Sequence, residues 1–92
     1  MAPAADFSPI HGKWMEEGMG CVDNNDIRRT ISRNKVEFYE SSCSIVSSRA
    51  KARSYTLELA CTGEGESWKR TETFKLVNRR IMTSAGTRFI RC

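Results

Sequence analysis

An all-β fold, a small antiparallel up-and-down β-barrel of seven or eight strands stapled by disulfides, is what this sequence predicts. Three observations carry the prediction. From residue 12 onward apolar residues recur at every second position, the spacing that sets one strand face on a core and the other in water. Asn and Gly punctuate the runs, as tight hairpins with positive φ require. Four cysteines, Cys21, Cys43, Cys61 and Cys92, are spread through 92 residues. An even count at wide spacing in a short chain reads as a disulfide framework formed in an oxidising compartment.

Residues 1–11 carry both prolines and no periodicity, so they read as a flexible arm ahead of a single domain over 12–92. Ala2-Pro3-Ala4 resembles the small-residue site that ends a secretory signal. After the arm, strands are expected near 12–17, 27–32, 35–40, 43–49, 54–62, 67–76, 80–84 and 87–92. Ile27, Arg29 and Ile31 share a face opposite Arg28 and Thr30. Val36 and Phe38 alternate with Glu37 and Tyr39. Tyr55, Leu57, Leu59 and Cys61 line one side of the next long run, and Trp68, Phe74 and Leu76 line another. Arg33-Asn34, Gly63-Glu64-Gly65, Asn78 and Ala85-Gly86 mark the turns. No stretch from 12 to 92 keeps helical spacing for two turns. Short strands following one another in sequence order curl into a barrel that removes their exposed edges.

Pairing 43–49 with 54–62 around a turn at Lys51-Ala52-Arg53 sets Cys43 opposite Cys61 and Ile45 opposite Leu59. Opposed residues on one sheet face have Cβ atoms ~4.5–5.5 Å apart, close to what a disulfide needs. That register supports Cys43–Cys61, and Cys21–Cys92 follows by elimination. In an eight-strand meander Cys21 lies past the end of the first strand, at the far end from Cys92. Either the 18–26 connection travels, or residues 35–49 form one bent strand and the count is seven. The bent strand, turning at Ser41-Ser42, is the expectation.

The composition argues against several kinds of chemistry. The single histidine, His11, sits in the Pro-containing arm, and a Cys–His dyad needs a free thiolate beside it. No serine stands in a G-x-S-x-G elbow and no Gly-rich loop opens a helix, so no enzyme and no cofactor are expected. Zinc sites use C-x2–4-C knuckles, which these cysteines lack, and no metal is expected. No apolar run is long enough to cross a membrane as a helix. The net charge of +4 is modest, and Glu37, Glu40, Glu58 and Glu72 sit among the basic residues. Arg28, Arg29, Arg49 and Arg53 are the candidate anion-binding residues. With Lys69-Arg70, Arg79-Arg80 and the aromatic faces of Tyr39, Tyr55 or Trp68 they describe an oligonucleotide-binding barrel. Export separates the chain from nucleic acid, so that reading ranks second.

Gly12-Lys13-Trp14 resembles the G-x-W that opens the calycin barrels, a group including the lipocalins and the small periplasmic inhibitors of bacterial metalloproteases. The resemblance implies that Trp14 closes one end of the barrel and that Arg88 or Arg91 packs across it. The longer pattern is Trp14, Cys21, Tyr39-Glu40-Ser41-Ser42-Cys43, Cys61-Thr62-Gly63-Glu64-Gly65-Glu66-Ser67-Trp68 and Arg91-Cys92. It resembles small uncharacterised exported proteins of Gram-negative bacteria. The inhibitor branch implies an extended arm over residues 2–11 that enters a protease cleft, its prolines lowering the entropy lost on docking. The expected protein is therefore periplasmic or secreted and binds a protein partner. A polyanion is the alternative partner.

Overall fold

The computed structural model describes residues 6–18, 21, 28–38 and 40–92. Eight strands follow one another around a closed antiparallel barrel. They are β1 (Gly12–Glu16), β2 (Arg29–Ile31), β3 (Lys35–Glu37), β4 (Ser42–Lys51), β5 (Ser54–Gly63), β6 (Glu66–Asn78), β7 (Ile81–Ser84) and β8 (Thr87–Arg91). β8 returns to pair with β1 through Trp14↔Arg91, Met15↔Ile90 and Glu16↔Phe89, which closes the ring. Alternation fills the interior. Trp14, Ile31, Val36, Leu57, Leu59, Phe74, Met82 and Phe89 are all buried there. Burial of a large apolar side chain contributes roughly 1.5–3 kcal/mol, so these residues carry most of the fold's stability. Ala2-Pro3-Ala4, Ile27 and Tyr39 lie outside the described residues.

The bent-strand expectation is wrong. β3 and β4 are separate strands paired as Lys35↔Ser44, Val36↔Cys43 and Glu37↔Ser42. The Phe38 amide donates to the Ser41 carbonyl at 2.9 Å, which reverses the chain instead of bending it. Reversal sets buried Val36 beside buried Cys43, a pair that a continuous strand cannot bury together. Cys21 sits beside Cys92, with Cα atoms 5.7 Å apart, although β1 ends next to Phe89.

Cys43 opposes Cys61 and Ile45 opposes Leu59, as expected, but by another route. The turn is the two-residue Ala52-Arg53, with Lys51 opposite Ser54, one residue shorter than the predicted loop. Val46 is an extra residue in β4, a bulge between Ile45 and Ser47, and it restores the register. The bulge turns Val46 out to solvent, 67% exposed. A second bulge at Val77, between Leu76 and Asn78, does the same to a second valine, 45% exposed.

Residues 6–11 do not behave as an arm. Ser8–Ile10 form a 3-10 turn, and Phe7 and Ile10 are buried in the core. Asp6 accepts from the Ser8 amide at 3.0 Å, which holds its carboxyl below the usual carboxylate range.

Candidate binding surfaces

The barrel has two chemically different ends. One holds the β2–β3, β4–β5 and β6–β7 turns and the entry to β1. The other holds the β3–β4, β5–β6 and β7–β8 turns.

At the first end Trp14 is fully buried and its indole Nε1 donates to the Ile10 carbonyl at 3.0 Å. Arg91, and not Arg88, lies across it, with the guanidinium carbon 4.3 Å from the ring centroid. The same guanidinium donates to the carbonyls of Arg79 at 2.8 Å, Pro9 at 2.6 Å and His11. Gly12 has φ +131°, and a Cβ there would meet Arg91 Nη1 at 3.0 Å. The glycine of Gly12-Lys13-Trp14 thus clears the path of the arginine that covers the tryptophan. Arg88 is at the other end, 3.6 Å from Glu17.

At the second end the interior turns polar. The rows of inward parity across β5 and β6 run Tyr55↔Phe74, Leu57↔Glu72, Leu59↔Arg70 and Cys61↔Trp68, and β6 runs out into solvent at the last two, where Arg70 and Trp68 are exposed. Glu72 is buried, accepts from Ser84 Oγ at 3.0 Å, and pairs with Arg29 at 3.4 Å and Arg70 at 3.5 Å. The Phe38 ring has both guanidiniums over it, the Arg29 carbon at 4.5 Å and the Arg70 carbon at 5.0 Å from the centroid. Burial pushes the Arg29 guanidinium below its ordinary pKa, and Glu72 opposes that shift. Sequence reasoning missed this triad, although the signal was present. Arg29 shares the parity of Ile31, and Glu72 that of Phe74.

The candidate anion-binding residues are not brought together. Arg29 is inside the second end, with Arg28 beside it and half-buried; Arg49 and Arg53 are exposed at the first. Topology also sorts the carboxylates that appeared to interrupt the basic field. Glu37 and Glu40 lie at the second end, Glu72 is buried, and Glu58 is hydrogen-bonded to Ser47 Oγ at 2.5 Å. What remains at the tips of the β4–β5 and β6–β7 turns is a purely basic corner: Arg49, Lys51, Arg53, Lys75, Arg79 and Arg80, all exposed.

The clefts found among the described residues are surface grooves. One of them, about 550 Å³, runs between the 3-10 turn and β4 and is lined by Asp6, His11, Arg33 and Val46. The His11 ring stands edge-on to Phe7 with centroids 4.9 Å apart. All four cysteines are in disulfides, Cys43–Cys61 and Cys21–Cys92, so none offers a thiolate to a metal or a substrate.

Comparison with protein-family models, with curated proteins and with solved structures found no match.

Proposed function

We propose that this chain is an exported, non-catalytic binding module that holds a protein partner on its outer surface. Two disulfides fit an oxidising compartment. A barrel interior filled by Trp14, Phe74 and Phe89 leaves recognition to the exposed residues, those at the rim of the second end included. The observation that carries the reading is Trp68. It is 38% exposed beside exposed Arg70, and among the described residues no strand pairs with the outer edge of β6 from Glu66 to Phe74. Trp and Arg dominate the energetics of protein interfaces, and an unpaired strand edge accepts an extended segment of another chain. The inhibitor form of the reading narrows to residues 1–5, because Phe7 and Ile10 hold the segment behind them in the core.

Capture from periplasmic and extracellular extract with wild type and Trp68→Ala side by side tests this reading. A partner retained by wild type and lost by the variant is expected. Partners retained equally by both would overturn it, and so would a small molecule co-purifying inside the barrel.

A further inference from the structure

We propose that the basic corner is a docking site for an anionic lipid bilayer surface. Lys51, Ser54 and Lys75 form one cross-strand row, and Arg49, Thr56 and Thr73 form the next. Adjacent strands lie ~4.7–4.9 Å apart, so these cations are spaced by roughly two strand widths over a face of small hydroxyl side chains. Arg79 and Arg80 extend the cationic surface onto the neighbouring turn. That turn is fixed by Asn78 Oδ1, which accepts from the amides of Arg80 and Ile81 at 2.8 and 3.0 Å. Among the described residues no carboxylate side chain belongs to the β4–β5 or β6–β7 turn or to these two rows.

Val77 selects the partner. Its bulge pushes an apolar side chain out between Lys75 and Arg79 in the chain, and Arg53 Nη1 donates to its carbonyl at 3.1 Å, which brings a third cation to the same bulge. An exposed apolar residue flanked by Lys and Arg suits the boundary between headgroups and acyl chains, where apolar insertion and electrostatic attraction add. A single strand of nucleic acid instead needs aromatic stacking faces, and this corner has none; Trp68 is at the other end and Tyr55 is buried. The corner is two convex turn tips, a shape that rests against a surface and does not wrap a thread-like polyanion. The outward rows of β4–β6 carry Ser, Thr, Lys, Arg and Glu, the opposite of a lipid-facing apolar band, so contact is through the tips alone.

The site is independent of the protein interface proposed above, because it uses the opposite end of the barrel and different residues. The test is co-sedimentation with vesicles of phosphatidylcholine, with and without phosphatidylglycerol. Binding is expected only to the mixed vesicles and falls steeply with salt. Lys75→Glu with Arg79→Glu should weaken it by at least about tenfold, since each basic residue near such a surface contributes roughly a fivefold factor. Lys69→Glu with Arg88→Glu makes the same change in net charge elsewhere and should leave most of the binding. Val77→Ser, which keeps every charge and an exposed position, should weaken binding several-fold. Equal binding to neutral vesicles would overturn the proposal. Equal loss in the two charge-reversed proteins, no effect of Val77→Ser, or binding to heparin or duplex DNA without binding to vesicles would each overturn it too.

Discussion

Arg91 is the cross-strand partner of Trp14, and its guanidinium covers the indole at 4.3 Å while bonding three backbone carbonyls. The carbonyls belong to Pro9, His11 and Arg79. One side chain therefore ties the N-terminal 3-10 turn and the β6–β7 turn to the end of the last strand.

Trp14→Ala should cost roughly 3–5 kcal/mol, the usual range for a buried aromatic, which in a domain of this size can abolish folding. Arg91→Lys should still cost about 1–3 kcal/mol. A lysine keeps the charge but loses the planar fork that reaches three acceptors while stacking on a ring. Urea denaturation checks both. An Arg91→Lys protein as stable as wild type would show that the charge alone matters.

Removing one member of the Arg29–Glu72 pair should be worse than removing both. Glu72→Leu leaves the largely covered Arg29 guanidinium without its carboxylate and beside a second cation, Arg70, and is expected to cost about 3–5 kcal/mol. Adding Arg29→Met should recover most of that loss, because a well-packed apolar pair spares both desolvation penalties. A double-mutant cycle measured by denaturation decides it, and a double variant no better than the single one would refute the coupling.

Thiol titration of denatured, unreduced protein should find close to zero free thiols. The two bonds should then respond differently to mild reductant. Cys21 and Cys92 are exposed, whereas Cys43 and Cys61 are buried, so attack by an external thiolate reaches Cys21–Cys92 first. Each bond contributes roughly 2–4 kcal/mol, with the 71-residue separation at the upper end and the 18-residue separation below it. Alkylation with mass mapping should show Cys21 and Cys92 modified before Cys43 and Cys61. The reverse order would contradict the burial.

Three hairpin turns carry a non-glycine residue at positive φ, Ala52 at 54°, Glu64 at 51° and Ala85 at 51°, and in the last two it precedes a glycine also at positive φ, Gly65 and Gly86. Both turn residues then have φ above zero, the type I′ geometry for which Asn-Gly is favoured. Ala85→Asn should therefore raise stability by about 0.5–1 kcal/mol, since Asn tolerates this region better than Ala. Thermal unfolding checks it, and a lowered Tm would mean that the Ala85 methyl group makes a contact that outweighs the backbone term.

The two-residue alternation determined the strands, because a one-residue slip would move every apolar side chain of a half-buried strand into water. The same parity predicted Cys43 beside Cys61, and it tolerated the misplaced turn because the bulge at Val46 offsets the shorter loop by one residue. Bulges leave little trace in an apolar pattern. Val46 and Val77 read as ordinary strand residues, and only the register shows that they are extra. The choice between seven and eight strands was equally closed to local reading. A bend and a reversal at Ser41-Ser42 look alike in sequence, and the Val36–Cys43 pairing that separates them is a contact between strands.

Charge was the property most altered by folding. Along the chain acidic and basic residues alternate closely enough to suggest a mixed surface. In an up-and-down barrel every second turn lies at the same end, so the fold sorts residues by their distance along each strand and not by their order. Arg49, Lys51, Arg53, Lys75, Arg79 and Arg80 converge at one end, Glu37 and Glu40 go to the other, and Glu72 is taken inside. The sequence by itself determined which side chains face in and which face out. Which of them become neighbours was decided by closure of the barrel, because closure sets register and shear across all eight strands at once.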